Sequence, residues 1–118
     1  MLKPTILVVD DELSIREALS LILEDHFKVL TAASGEGAVK KVADEKVDLV
    51  LLDIRMPGMD GIETLRHLKK IDKDLTVVMV TAVNDVEKAS LATRYGSYEY
   101  MVKPFDVKEL LETTLKLA

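Results

Sequence analysis

The sequence lacks cysteine and has no long hydrophobic run. Without cysteine, the chain forms no disulfide and holds no thiolate metal site or thiol nucleophile. Its apolar runs are short and interrupted by charges, well below the roughly 18 residues that cross a bilayer, and its first residues lack a signal-peptide pattern. These absences predict a cytoplasmic protein that is not inserted in a membrane.

Positive charge is also scarce, with 16 Lys and Arg against 21 Asp and Glu and a net charge of −5. Clustered basic residues bind nucleic-acid phosphates, and no long basic run is present, so we expect no direct nucleic-acid binding by this chain. The 118 residues, 48% of them hydrophobic, contain no Gly-, Ser- or Pro-rich linker. We therefore expect residues 1–118 to form a single domain.

Five apolar runs rich in β-branched residues indicate β-strands. They are TILVV at 5–9, FKVLT at 27–31, VDLVLL at 47–52, LTVVMV at 75–80 and YEYMV at 98–102. The stretches between them carry apolar residues at helical spacing, and a further amphipathic stretch closes the chain. This alternation predicts an α/β fold of the (βα)5 type, a doubly wound five-stranded parallel sheet with helices on both faces.

Helix starts are marked by an Asp or Asn that is followed three residues later by Glu, a capping signature. Three such pairs occur: Asp60 with Glu63, Asn84 with Glu87, and Asp106 with Glu109. The predicted helix over residues 84–94 has the thinnest apolar stripe. We therefore expect it to be the least firmly packed helix.

Polar residues follow four of the predicted strands. Asp10 and Asp11 follow the first, Asp53 the third, Thr81 the fourth and Lys103 the fifth. The carboxyl ends of parallel strands meet at one edge of the sheet, where open α/β folds bind ligands. Three carboxylates beside one lysine repel one another unless a cation is bound, and an all-oxygen donor set favours Mg²⁺. Such a site attracts phosphoryl groups.

Asp53 is the best candidate for a nucleophile that forms an aspartyl phosphate. It ends a strand expected at the centre of the sheet. The turn IRMPGMDG that follows delays the next helix and leaves the carboxylate accessible to a phosphoryl donor. Asp10 and Asp11 then remain to hold the metal.

Four motifs, in this order, resemble those of bacterial response-regulator receiver domains of two-component signalling. They are the acidic pair at 10 and 11, LLDIRMPGMDG around Asp53, VVMVTA ending at Ala82, and YEYMVKPF around Lys103. The resemblance covers essentially the whole chain and implies the flavodoxin-like fold of the chemotaxis regulators, with strand order 2-1-3-4-5. The motifs DIRMPGMDG and YMVKPFD look most like those of receivers of the nitrogen-regulation type.

The resemblance implies a role for each residue of the acidic site. Asp53 is expected to receive a phosphoryl group from a phosphohistidine on a sensor histidine kinase or a phosphotransfer domain. Asp11 and Asp53 are expected to bind Mg²⁺ through their side chains, Arg55 through its backbone carbonyl, and Asp10 through metal-bound water. Lys103 is expected to contact the phosphoryl oxygens. Such a domain is no classical enzyme, although it catalyses its own phosphorylation and a slow autodephosphorylation.

The same resemblance implies a conformational switch. Thr81 is expected to contact and move toward the phosphoryl group while Tyr100 swings inward, which changes the face made by the fourth helix, fifth strand and fifth helix. A cis peptide bond is expected before Pro104. Arg55 and Val83, two residues past the acceptor and the threonine, are expected to tune the access of hydrolytic water.

The function implied is a phosphorylation-dependent signalling switch that acts on an output domain or partner, often in transcription regulation. Homodimerisation through the changed face is expected on phosphorylation. The alternatives are a Mg-dependent phosphohydrolase with an Asp nucleophile and a receiver-like interaction module that is never phosphorylated. Such phosphohydrolases usually carry a second Asp two residues after the nucleophile, where this chain has Arg55. A flavin protein is disfavoured, because DDELS follows the first strand instead of a hydroxyl- and Gly-rich phosphate loop.

Overall fold

Five strands alternate with five α-helices in a computed structural model that describes residues 3–117. The strands are β1 Thr5–Val9, β2 Lys28–Ala32, β3 Leu49–Asp53, β4 Thr76–Ala82 and β5 Glu99–Lys103. The helices are α1 Leu13–Leu23, α2 Gly35–Asp44, α3 Gly61–Ile71, α4 Val86–Ala92 and α5 Val107–Leu117. Short 3₁₀ turns at Val83–Asp85 and Thr93–Tyr95 flank α4. Within the described residues, none of the helices has the length and apolar character needed to span a bilayer.

The strands form one parallel sheet in the order β2-β1-β3-β4-β5. This confirms the doubly wound (βα)5 fold with strand order 2-1-3-4-5. β1 has the predicted bounds, whereas β2 and β5 each begin one residue later than predicted. β3 lies at the centre of the sheet, and all five of its residues are buried, which explains its continuous apolar run.

The core has two halves, one on each face of the sheet. Leu7 and Val9 of β1 pack with residues of α2, α3 and α4, whereas Ile6 and Val8 pack with residues of α1 and α5. Successive residues of a strand point to opposite faces, so a strand that is apolar at every position fills both halves. The central strands therefore need helices on both sides, as the prediction required.

Two of the three predicted helix caps are present and one is wrong. The Asp60 carboxylate accepts the Glu63 N–H at 2.9 Å, and the Asp106 carboxylate accepts the Glu109 N–H at 2.8 Å. Asn84 does not cap α4, because the chain leaves β4 through the 3₁₀ turn Val83–Asp85 and the helix begins only at Val86. The capping signature at Asn84 therefore lies inside a 3₁₀ turn and does not mark the start of the α-helix.

Candidate functional site

The ends of three strands bring an acidic pair and a lysine together at one edge of the sheet. Lys103, the last residue of β5, places its Nζ 3.2 Å from Asp10 Oδ2 and 3.5 Å from Asp53 Oδ2. Asp10 directly follows β1 and Asp53 is the last residue of β3. The lysine thus bridges two carboxylates that would otherwise face each other unscreened. The peptide bond between Lys103 and Pro104 is cis, as predicted.

The start of α3 fixes the backbone at Asp53. The Gly61 N–H donates to the Ile54 carbonyl at 2.9 Å, which ties the first residue of α3 to the end of β3. A Cβ atom on Gly61 would collide with the backbone oxygen of Asp53, so a residue with a side chain does not fit there without a shift of the backbone. The glycine that ends the turn after Asp53 therefore helps to hold the candidate nucleophile in place.

Asp10 and Asp11 lie in different environments although they are adjacent. Asp10 is buried, and its Oδ1 accepts the Glu12 N–H at 2.9 Å while its Oδ2 faces Lys103. Arg16 donates to the Asp10 carbonyl at 2.7 Å, which further fixes this corner of the chain. Asp11 is exposed. The protein itself satisfies Asp10, whereas Asp11 faces solvent.

Burial raises the pKa of the Asp53 carboxyl to about 6. The Lys103 ammonium opposes this rise, and the Asp10 carboxylate adds to it. Burial lowers the pKa of Lys103, but the Asp53 and Asp10 carboxylates outweigh that effect and leave it above its ordinary value. A single lysine does not offset both carboxylates and the loss of solvent, so this site carries unbalanced negative charge near neutral pH.

A cavity of about 230 Å³ opens beside Asp53. Its lining includes Asp11, Glu12 and Lys103, together with two residues of neighbouring loops, Arg55 and Asp85. One carboxylate oxygen from each of Asp10, Asp11 and Glu12 lies within 4.8 Å of the other two. Oxygen donors with excess negative charge are the set that a hard divalent cation such as Mg²⁺ prefers. The residues present therefore fit the predicted ion.

Glu12 is a member of this acidic cluster that the sequence analysis did not single out. Its signal was present in the sequence, because it follows the acidic pair in the run DDE. It is the residue immediately before α1, and its side chain makes no capping hydrogen bond to that helix. Glu12 is therefore a further oxygen donor at the cavity.

Thr81 and Tyr100, the two predicted switch residues, do not line the cavity. Thr81 is fully buried, and its hydroxyl donates to the Ala82 carbonyl at 3.0 Å. Tyr100 lies on β5 with 37% of its surface exposed. Val83, a predicted tuning residue, is exposed in the 3₁₀ turn and does not line the cavity either. Their movement concerns a second state and stays a prediction.

Arg55 makes a bidentate ion pair that the sequence analysis missed. Its Nε donates to Asp85 Oδ2 at 2.6 Å and its Nη2 to Asp85 Oδ1 at 3.1 Å. Hydrogen bonds from Arg55 hold the pKa of Asp85 below its ordinary value, so the pair stays charged near neutral pH. No local motif signals this pair, because its members are 30 residues apart in the chain.

The chain is similar to proteins of one family over nearly its whole length. The family model "Response regulator receiver domain" matches residues 6–115. Sporulation initiation phosphotransferase F of Bacillus subtilis is 36% identical over 117 residues, which are 98% of this chain and 94% of that protein. The regulatory protein AtoC of Escherichia coli is 42% identical over 106 residues, 89% of this chain and 23% of that protein.

A solved structure shares both the fold and part of the sequence. The receiver domain of NtrX from Brucella abortus superposes with a TM-score of 0.90 at 36% sequence identity. The match covers 95% of this chain and 96% of that one. The chain thus spans most of one curated relative and less than a quarter of the length of AtoC.

Proposed function

The chain belongs to the response regulator receiver domain family, and on this premise we propose that Asp53 is its phosphoacceptor. Members of the family act as phosphorylation-dependent switches of two-component systems. The observation that carries the proposal is the contact of one ammonium group with both Asp53 and Asp10 at the end of the central strand. Asp10 also contacts Lys103, but its other oxygen accepts the Glu12 N–H, whereas Asp53 lines the cavity.

The transfer step follows from the protein's own groups. An Asp53 carboxylate oxygen attacks the phosphorus of a phosphohistidine, the bond between phosphorus and the imidazole nitrogen breaks, and an aspartyl phosphate forms. Lys103 stands 3.5 Å from the attacking carboxylate, where its charge stabilises the added phosphoryl oxygens. Above about pH 6 the carboxyl is ionised and nucleophilic.

Receiver domains bind Mg²⁺ at an acidic pocket. Here Asp11, the Asp53 side chain and the Arg55 backbone carbonyl are the proposed direct ligands, and Asp10 acts through water. The bound ion supplies positive charge that offsets the carboxylates and draws in the phosphoryl group. The carboxylate oxygens of Asp10, Asp11 and Glu12 at this edge, with Asp11 and Glu12 in the cavity lining, support this assignment. Burial raises the pKa of Asp53, and the Asp10 carboxylate adds to that rise.

Receiver domains interact with histidine kinases and output domains. For this chain we propose a sensor histidine kinase or phosphotransfer domain as phosphoryl donor, a transcription regulator as output, and a cytoplasmic location. We also propose that residues 1–118 act as one receiver unit. Leu91, Tyr98 and Val107, exposed on or beside α4, β5 and α5, support a homodimer interface there that forms on phosphorylation.

The phosphohydrolase alternative requires an acid/base residue two positions after the nucleophile, and this chain has no carboxylate there. That position is Arg55, whose guanidinium is held by the Asp85 carboxylate. An arginine stays protonated near neutral pH and does not exchange protons with a leaving group or water. Nothing in the fold, the site or the comparisons favours hydrolysis or a permanently unphosphorylated module.

The proposal is tested by incubating the protein with Mg²⁺ and acetyl phosphate and measuring intact mass. Wild-type protein is expected to gain the mass of one phosphoryl group, and Asp53→Asn is expected to gain none. Asp25→Asn is a matched control, because Asp25 is an exposed aspartate in the loop before β2, at the opposite edge of the sheet. It is expected to be phosphorylated like wild type.

Two results would contradict the proposal. One is a wild-type protein that gains no phosphoryl group although circular dichroism shows that it is folded. The other is an Asp53→Asn variant that is phosphorylated as fast as wild type. Omission of Mg²⁺ with a chelator is expected to slow the reaction strongly, which tests the metal assignment separately.

A further inference from the structure

The ion pair between Arg55 and Asp85 joins two loops at the rim of the cavity beside Asp53. Arg55 lies between β3 and α3, and Asp85 ends the 3₁₀ turn between β4 and α4. Both residues line the cavity that contains Asp53. The Arg55 backbone N–H also donates to Asp53 Oδ1 at 3.3 Å. One residue therefore contacts the candidate acceptor through its backbone and Asp85 through its side chain.

This pair differs from an ordinary surface ion pair. The Asp85 side chain is only 6% exposed, whereas that of Arg55 is 74% exposed. Two parallel hydrogen bonds fix the plane of the guanidinium, and a nearly buried carboxylate that lost them would be left without an adequate partner. The pair of Lys108 with Glu112 on α5, by contrast, has side chains 82% and 67% exposed and one contact at 3.8 Å. Asp85 thus restrains a side chain that would otherwise be mobile.

We propose that Asp85 is a positioning residue that holds the Arg55 guanidinium at the rim of the cavity and thereby slows hydrolysis of phosphorylated Asp53. This inference rests on the proposed function. In hydrolysis a water oxygen bonds to phosphorus, and the bond from phosphorus to the Asp53 carboxylate oxygen breaks. One water proton stays on the released inorganic phosphate and the other goes to solvent. A fixed Arg55 guanidinium at the rim of the cavity restricts the space through which that water reaches the phosphorus.

The test is a double-mutant cycle on the rate of dephosphorylation. Wild type, Arg55→Ala, Asp85→Ala and the double variant are phosphorylated with acetyl phosphate and Mg²⁺ and freed of donor. The loss of the phosphoryl group is then followed by intact mass. Each single variant is expected to lose it about two- to tenfold faster than wild type. The double variant is expected to match Arg55→Ala alone, because Asp85 acts only through Arg55.

Two further variants separate positioning from a general structural role. Asp85→Glu keeps a carboxylate for Arg55 and is expected to retain a rate closer to wild type than Asp85→Ala does. Glu112→Ala breaks the exposed pair on α5 and is expected to leave the rate unchanged. If Asp85→Ala does not fold, Asp85→Asn takes its place in the cycle, and thermal unfolding checks that each variant is folded.

The outcomes are distinguishable. If wild type is not phosphorylated, the proposed function fails and this inference fails with it. If wild type is phosphorylated but Asp85→Ala hydrolyses at the wild-type rate or more slowly, only the positioning role is overturned. Equal acceleration by Asp85→Ala in the wild-type and Arg55→Ala backgrounds also overturns it, because Asp85 would then act without Arg55.

Discussion

At the scale of single residues, the site is a balance between buried carboxylates and one lysine. Asp53 and Asp10 are both buried, and Lys103 contacts both of them. Burial costs the Asp53 carboxylate more than the shared ammonium returns, because the pKa of that carboxyl is still raised to about 6. Ionised Asp53, the proposed phosphoacceptor, therefore destabilises the metal-free fold, and perturbed pKa values of this kind cluster at functional sites.

Replacing Asp53 by Asn is expected to stabilise the metal-free protein at neutral pH. The pKa of Asp53 is about 6 in the folded state against the ordinary value of 3.8, so the folded state holds the proton more tightly than the unfolded state does. Ionisation therefore destabilises the fold: the penalty is fully present above about pH 6 and is lost as the pH falls from about 6 to about 4. The gain near pH 7 is expected to be about 1–2 kcal/mol, because Lys103 and solvent screen the charge.

Urea unfolding in a chelator at several pH values measures this effect. The difference between Asp53→Asn and wild type is expected to stay nearly constant above about pH 6 and to shrink as the pH falls from about 6 to about 4. Asp25→Asn is the control, and its free energy of unfolding is expected to track wild type. A gain for Asp53→Asn that does not change with pH would show that burial of charge is not its cause.

The sequence predicted the charged residues of the site but not all of their contacts. Asp10, Asp53 and Lys103 were predictable because each follows an apolar run, and parallel strands end at one edge. The pair of Arg55 with Asp85 was not predictable. It depends on how two loops meet in space and on a side-chain rotamer, neither of which leaves a periodic pattern in the sequence.

At the scale of elements, the helix starts show where local patterns succeed and fail. Asp60 caps α3 because that helix begins directly after it, whereas Asn84 lies within a 3₁₀ turn. The two residues carry the same signature, an Asx followed three positions later by Glu. The signature marks a helix start only where the Asx residue directly precedes the first turn of the α-helix, as Asp60 does. After β4 a 3₁₀ turn includes Asn84, and the α-helix begins two residues later.

These two positions form a matched pair for a stability measurement. Asp60→Ala removes a side-chain acceptor from the Glu63 N–H and is expected to cost about 1 kcal/mol. Asn84→Ala removes no cap and is expected to change the free energy of unfolding by less than about 0.5 kcal/mol. Chemical denaturation of the two variants beside wild type provides the comparison. Equal losses at both positions would contradict the observed start of α4.

The helix α4 is expected to be the most dynamic helix of the fold. It is the shortest of the five helices, with seven residues, and its two buried residues, Ala89 and Ala92, are small, whereas α1, α3 and α5 each bury at least one leucine. Few buried apolar contacts mean a low free energy of local opening, so amide exchange in α4 is expected to be at least about tenfold faster than in β3. Phosphorylation is expected to change it, because the switch acts on this element.

Hydrogen exchange followed by mass spectrometry measures this difference, with α3 as the internal control. Exchange in α4 as slow as in β3 and insensitive to phosphorylation would remove α4 as the mobile element. The thin apolar stripe over residues 84–94 predicted this weakness from the sequence. The shorter helix and its flanking 3₁₀ turns are details that the stripe could not resolve.

At the scale of the whole molecule, the parallel topology explains how residues distant in the sequence meet in one site. The strand order β2-β1-β3-β4-β5 places β1 and β3 side by side and makes β5 an outermost strand of the sheet. The long Lys103 side chain at the end of β5 still contacts Asp10 after β1 and Asp53 at the end of β3. The same topology places α4 and α5 next to the outermost strand β5. The Asp53 site at the carboxyl ends of the strands therefore lies close to the face formed by α4, β5 and α5, where the switch is expected to act.

Phosphorylation is expected to promote dimerisation through the face formed by α4, β5 and α5. Leu91 is 42% exposed on α4, and an exposed leucine on this face supplies apolar area that a partner would bury. Sedimentation velocity before and after treatment with acetyl phosphate measures the change. Leu91→Ser is expected to weaken the phosphorylated dimer. Leu21→Ser removes a leucine exposed on α1 and is expected not to do so. A phosphorylated protein that stays monomeric would refute the proposed dimer.

The most direct test of the central claim is to locate the phosphoryl group in the chain. Borohydride reduces an aspartyl phosphate to homoserine, so the phosphorylated protein is reduced, digested and sequenced by mass spectrometry. Homoserine is expected at position 53 and at no other aspartate, in an amount that depends on prior treatment with acetyl phosphate and Mg²⁺. Homoserine at Asp10 or Asp11, or none in a protein that carries the phosphoryl mass, would contradict the account.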